Sequence, residues 1–231
     1  MRKNKIANAL FFLIAAPCIF LVIGFTVIEA IAMGDSFYQK QFEKQGISAQ
    51  TGVSQDGLMD FAHEVQNLLS GKGGLSSHMV VNGQSVETFG EQELFHMDEV
   101  ADLFGRFSSV RFSLAVAFFA LFTAFYMLDN RHAIANVLAC CLANLAGIAA
   151  IATMAAMDFD LVFTVFHEIL FDNDLWMFPS NSMLIRILTE EFFMNFAAQA
   201  GICIAIILLG ISIFAACMLQ KRKKKELANG D

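Results

Sequence analysis

Apolar residues gather in four long runs, about Ile6–Met33, Phe112–Leu128, Ala133–Met157 and Phe192–Leu219, and polar residues fill the connections between them. A helix needs about 20 residues to cross a bilayer, so each run predicts a membrane span. The second run is the shortest. Val110 and Arg111 extend it, because an arginine can bury its stem and send its guanidinium to the interface. The first run continues well past the about 7–15 residues of a signal-peptide core and reads as a span. Pro17 stands where a lipoprotein acceptor box before Cys18 would need a small residue.

The polar connections carry shorter patterns. In "SQDGLMDFAHEVQNLLSG", Leu58, Phe61, Ala62, Val65, Leu68 and Leu69 recur at helical spacing, with Ser54 or Asp56 placed to cap the start and Gly71 to end it. "HMVVNGQSVETF" predicts a hairpin turning at Asn82-Gly83. "EQELFHMDEVADLFGRF" predicts an amphipathic helix leading into the second span, with Leu94, Met97, Ala101 and Phe104 on one face. "DFDLVFTVFHEILF" predicts a reentrant or interfacial helix continuing from the third span, with Phe163, His167, Leu170 and Phe171 together. Trp176 and Pro179 mark an interfacial turn. The expectation is an all-α membrane protein of four transmembrane helices, with a small extracytoplasmic cap of amphipathic helices and a β-hairpin. Its divisions fall at 1–33, 34–111, 112–157, 158–191 and 192–231.

Composition agrees. The chain is 57% hydrophobic with a mean hydropathy of +0.58, well above a soluble domain. Charge orients it: Arg2, Lys3 and Lys5 precede the first span, Arg131 lies between the second and third, and Lys221–Lys225 follow the fourth. The positive-inside rule places all three on the cytoplasmic side, with both termini, and the acid-rich connections outside. The basic tail reads as an anchor on anionic lipid. The five cysteines, Cys18, Cys140, Cys141, Cys203 and Cys217, all fall inside spans, which gives no outer disulfide framework.

The sequence holds no GxSxG, HExxH, CxxC or P-loop, so the standard serine-hydrolase, zinc and nucleotide kits are missing. Two histidines remain, His96 and His167, each in a phenylalanine-rich stretch beside a span and flanked by acids. An imidazole titrates near 6.5, which suits it to proton transfer. Apolar surroundings favour its neutral form and Glu99, three residues from His96, its charged form. Other readings stay open: hydrogen-bonded interfacial residues, or a metal pair completed by Glu99 or Asp172. Glu29 near the end of the first span reaches the interface or pairs with His96, His167 or Arg186. Arg186 holds an anion or anchors the fourth span. Asn136, Asn144, Asn195 and Gln199 are expected to bond between helices. His63, His78 and His132 read as solvated.

"ELFHMDEV" (93–100), "DFDLVFTVFHEILFDNDLW" (158–176) and "LIRILTEEFF" (184–193) resemble the signature blocks of a bacterial four-span family whose characterised members are lipoprotein intramolecular transacylases. The order of the blocks and the placement of all four spans fit as well. The chain departs from the pattern at Glu99, where the family favours Asp, at Ser182, where it favours an acid, and at Thr189, where it favours Pro. The resemblance implies transfer of the sn-2 acyl chain of a diacylglyceryl-modified lipoprotein to the α-amine of its N-terminal cysteine, in the bacterial cell membrane. It implies acid–base catalysis by His96 and His167 on the outer side, with Glu99 and Asn173 orienting groups or stabilising charge. Trp176, Arg186 and Glu29 would contact substrate or lipid. No metal, cofactor, nucleotide or nucleic acid is called for. The alternatives are another outer-leaflet lipid hydrolase or acyltransferase, or a non-catalytic membrane sensor or assembly protein.

Overall fold

In the computed structural model, residues 2–229 are described, with side chains at 7–129 and 131–228. The basic side chains of Arg2, Lys3 and Lys5 lie outside the described ones. The element order is α1 (Arg2–Ala32), α2 (Asp35–Gln45), α3 (Ile47–Thr51), α4 (Gln55–Leu69), β1 (His78–Val81), β2 (Gln84–Glu87), α5 (Glu91–Leu128), α6 (Asn130–Met157), α7 (Phe159–Leu170), α8 (Met183–Ile187) and α9 (Glu190–Asn229). Among the described residues, four helices are long and apolar enough to span a membrane: α1, α5, α6 and α9. The architecture is that of an all-helical membrane protein bearing one two-stranded antiparallel sheet.

The chain forms two compact units. The first holds the chain up to Val27, Ser109–Met154 and the chain from Ala200. Hydrocarbon gives apolar side chains little reason to associate, so polar bonds and close packing must hold such a unit together. Asn136 donates to Asn8 Oδ1 at 3.2 Å, and Asn144 donates to the Ala16 carbonyl at 3.0 Å. Both asparagines therefore link α6 to α1, as their positions predict. Phe11 stacks on Phe125 at 4.9 Å, while Cys140, Cys141 and Leu208 are fully buried. His132 is exposed and bonded to Asp129 at 2.6 Å.

The second unit, Ile28–Ser108 with Ala155–Gln199, contains both histidines of interest. Its core is aromatic: Phe37, Tyr38, Phe42 and Phe192 pack against one another, and Phe42, Phe89, Ile47, Leu58 and Ile187 are sealed from solvent. Each such side chain contributes about 1.5–3 kcal/mol on burial. The unit keeps the predicted helix α4, capped where Ser54 accepts from Gly57 N, with Leu58, Phe61, Ala62, Val65 and Leu68 buried and Leu69 half-buried. Gly71 closes it at φ 70°, a left-handed conformation that costs a glycine little. The hairpin turns through Asn82 (φ 50°) and Gly83 (φ 81°), the pair of positive angles a two-residue turn needs. His63 and His78 are exposed, His63 lying 3.5 Å from Asp35. Asn195 donates to Gln41 at 2.8 Å, tying α9 to α2.

Two local expectations are corrected. Asp158 is extended (φ −156°, ψ 93°) and accepts from Leu161 N, so α7 starts afresh with its own cap and does not continue the third span's helix. In the first turns of α5 the buried residues are Glu93, His96 and Met97, while Leu94, Ala101 and Phe104 are only half-buried. Two of the three buried side chains are polar, because Ser182 docks on Glu93 and the rings of Phe171 and Phe178 cover His96.

Candidate active site

The first three turns of α5 and the chain from α7 to α8 build the site, all within the second unit. His96 and His167 come together: their ring centroids lie 6.1 Å apart. Both histidines are buried, at 7% and 8% exposure. Their walls are aromatic. Phe171 and Phe178 meet His96 edge-on at 5.0 and 5.6 Å, and Phe163 lies 4.1 Å from His167. Trp176 stacks on His167 at 4.6 Å with planes 26° apart.

His167 occupies the last turn of α7, and its Nδ1 lies 2.7 Å from the carbonyl oxygen of Phe163, one turn back. A carbonyl only accepts, so Nδ1 carries the proton and the neutral ring keeps its lone pair on Nε2. Burial lowers the pKa of His167, and the Phe163 bond partly offsets this. Burial, aided by repulsion from His167, lowers that of His96 to about 4. Both rings are therefore neutral at pH 7. His96 lies in the first turns of α5, ahead of the apolar run that starts at Phe112.

Glu99 lies beside His96, its Oε2 4.0 Å from Nδ1, too far for a hydrogen bond as the atoms stand. Its Oε1 accepts from Asn173 Nδ2 at 2.7 Å, and Asn173 Oδ1 accepts from Leu175 N at 2.9 Å. Asn173 thus holds Glu99 and shapes the loop. Two further side chains of α5, both missed at the sequence level, fasten the same segment. Gln92 donates to the carbonyls of Leu175 and Met177 at 3.0 and 3.2 Å. Glu93 accepts from Ser182 Oγ and, at 2.7 Å, from Gly90 N. The Gly90-to-Glu93 spacing of a helix start was the available signal for the second bond.

The other expected residues stand in different settings. Arg186 donates to the Gln50 carbonyl, a bond that links α8 to α3. Glu29 is half-buried in the last turn of α1. Among the described residues, no three His, Cys, Asp or Glu side chains converge as metal ligands. Two departures from the family pattern have local roles: Ser182 donates to Glu93, and Thr189 caps α9 by accepting from Phe192 N at 3.1 Å. Beside the site, a cleft of about 520 Å³ is lined by Val81 and Val86 of the hairpin, Glu91 and Gln92 of α5, and Phe178 and Pro179. Phe178 is common to the cleft and the histidine pocket.

Four apolar helices and a buried, aromatic-walled pair of histidines define an integral membrane protein. The profile of the family described as "Lipoprotein intramolecular transacylase Lit" matches residues 13–193, and the chain belongs to that family of acyltransferases. It is also similar to solved structures of the membrane integral lipoprotein intramolecular transacylase Lit from Bacillus cereus. One has 21% identity and a TM-score of 0.66, covering 96% of this chain and 98% of that one. Two variants of the same protein, with a histidine changed to alanine or to arginine, give 18% identity with a TM-score of 0.77 and 20% with 0.73. They cover 96% and 98% of this chain, and 98% and 97% of theirs. At these identities the likeness establishes the fold. No curated protein matches the chain.

Proposed function

We propose that this protein moves the sn-2 acyl chain of a diacylglyceryl-modified lipoprotein onto the α-amine of the lipoprotein's own N-terminal cysteine. The product is a lyso-form lipoprotein carrying an N-acyl group. The observation that carries the reading is the pair of neutral imidazoles 6.1 Å apart in an aromatic pocket, one with its lone pair fixed on Nε2.

An α-ammonium has a pKa near 7.7–8.0 and must lose a proton before it attacks. His167 Nε2 takes that proton. The amine nitrogen attacks the sn-2 carbonyl carbon, forming a C–N bond and a tetrahedral oxyanion. The attached nitrogen then carries one proton too many, which passes to His96 Nε2. When the C–O bond breaks, the proton held by His167 goes to the departing glyceryl oxygen, and His96 afterwards releases its own proton to water, leaving a neutral amide. His96 holds the amine from the other side, and Glu99, steadied by Asn173, orients His96. Ester-to-amide transfer runs downhill, so neither nucleotide nor cofactor is required. Since nucleophile and ester belong to one molecule, positioning supplies much of the acceleration. The cleft beside Phe178 receives the polypeptide that follows the lipidated cysteine, while the acyl chains stay in lipid. The basic residues at 131 and 221–225 support a cell-membrane orientation with both termini cytoplasmic and the site outside.

The test is a bacterial strain that makes only diacylglyceryl lipoproteins. Expression of this chain should convert a reporter lipoprotein's N-terminal peptide to the N-acyl lyso form, as read by mass spectrometry. An unchanged diacyl peptide despite normal membrane expression refutes the proposal, and free fatty acid without N-acylation would point to a hydrolase.

A further inference from the structure

Resting on the transacylase reading above, we infer that the indole N–H of Trp176 is the hydrogen-bond donor to the sn-2 carbonyl oxygen, which becomes the oxyanion when the amine attacks. Four buried polar side-chain atoms have no hydrogen bond among the described residues: His96 Nδ1, Glu99 Oε2, Trp176 Nε1 and Gln55 Nε2. The last lies in the first turn of α4. The other three belong to the site: His96 Nδ1 itself, Glu99 Oε2 at 4.0 Å from it, and the indole stacked on His167. A buried donor or acceptor left unmade costs about 1–3 kcal/mol, so each of these atoms calls for a partner.

The donors and acceptors can be assigned in turn. Glu99 Oε2 and His96 Nδ1 face each other at 4.0 Å, and a small rotation brings them together if Nδ1 carries the proton. The opposite tautomer would aim two lone pairs at each other. His96 is then an acceptor at Nε2, and so is His167, whose Nδ1–H is bonded to Phe163. Asn173 has one amide hydrogen on Glu99 and its oxygen on Leu175 N. Both imidazoles are therefore set to receive protons from the amine, and neither offers a donor to the carbonyl. The indole N–H is the buried ring donor left over.

Its placement suits that role. Trp176 stacks on His167 at 4.6 Å, so a substrate whose amine touches the ring of His167 brings its ester against the neighbouring indole. An indole N–H donates and never accepts, and it stays protonated throughout the reaction. It can stabilise the oxyanion without competing for the proton that His167 carries. Held in place before substrate arrives, such a donor acts mainly on the transition state.

Trp176 is the only tryptophan in the chain, so one indole N–H resonance reports on it. The first experiment uses the full-length protein in micelles with an N-acetylated diacylglyceryl-cysteine peptide, which binds but cannot attack, and its sn-2 ether analogue, which lacks the carbonyl. The ester should move the indole proton downfield and the ether should not. Equal shifts with both, or a shift with neither, overturn the inference. The second replaces the indole by its benzothiophene isostere, which keeps the stack and loses the N–H, with Trp176→Phe alongside. Loss of one oxyanion donor lowers kcat by about 10²–10³-fold with KM little changed. An isostere with kcat within twofold of the parent, or with only KM raised, overturns the inference. In either case parent protein that still makes the N-acyl product leaves the transacylase reading standing, whereas parent protein that makes none refutes that reading itself.

Discussion

Acidification should unfold this protein partly through one histidine. His96 titrates near 4 in the folded pocket because burial disfavours its charge and His167 would repel it. In the unfolded chain it titrates near 6.5. The folded state therefore takes up its proton later than the unfolded state. The stability this contributes is fully present above about pH 6.5 and is lost as pH falls through 4. At pH 4.5 the unfolded state has gained the proton almost completely and the folded state only in part, which costs about 2.5 kcal/mol relative to pH 7.5. His167 acts in the same direction, since its pKa is also lowered. The perturbation is a pH series from 7.5 to 4.5 at constant ionic strength. The assay is thermal or denaturant unfolding in detergent, followed by Trp176 fluorescence, for the parent and His96→Gln. Carboxylates elsewhere titrate in both proteins, so the difference between the curves isolates His96. The parent should lose about 2.5 kcal/mol more than the variant across this range. Parallel curves would mean that the His96 imidazole is not desolvated, and the account of the pocket would fail.

His167→Gln should lower N-acyl product formation by about 10²–10⁴-fold, the usual worth of a positioned general base, while the membrane-expressed protein keeps its melting temperature; mass spectrometry of the reporter peptide reads it. Glu93→Ala leaves the Ser182 hydroxyl and the Gly90 N–H without their acceptor. It should cost about 1–3 kcal/mol in denaturant unfolding, and a cost under 0.5 kcal/mol would mean that Glu93 does not hold the 173–184 segment. Val86→Trp fills the cleft from the hairpin side. It should raise KM severalfold for a full-length lipoprotein and leave a lipidated cysteine with no following residues unaffected.

The four spans were legible because bilayer thickness imposes a length and a composition on each, and the hairpin because Asn82-Gly83 is among the few pairs that adopt two positive φ angles cheaply. The histidine pair was legible only as two similar neighbourhoods 71 positions apart (96 and 167). Their approach depends on contacts that no local pattern records: Gln92 on two loop carbonyls, Glu93 on Ser182, Asn173 on Glu99. The same contacts explain why hydrophobic periodicity misplaced the buried face of α5. Periodicity assumes that apolar residues turn inward, whereas here the docking segment bonds Glu93 through Ser182 and covers His96 with Phe171 and Phe178. The stacking of Trp176 on His167 was hidden for another reason. A tryptophan near a span is ordinarily an interfacial anchor, and nothing in its sequence neighbours distinguishes an indole facing lipid from one facing an imidazole.

Burying the proposed base has a chemical consequence. Desolvation lowers the pKa of both histidines, which makes them weaker bases than an exposed imidazole. For a reaction that needs only rapid proton shuttling near neutrality, a lower pKa keeps the rings neutral and ready over the whole physiological range. In the proposed transfer, the aromatic wall that lowers it also shields the ester from water. Water and amine compete for the same carbonyl, and a shuttle that deprotonates one can deprotonate the other. Transfer beats hydrolysis only while the amine is inside and water is not. Opening the wall should therefore change the product more than the rate. Phe178→Ala, which removes a ring in contact with both His96 and the cleft, should raise the ratio of released fatty acid to N-acyl peptide. An unchanged ratio, with the variant folded and active, would show that the pocket's dryness is not what directs the acyl group to nitrogen.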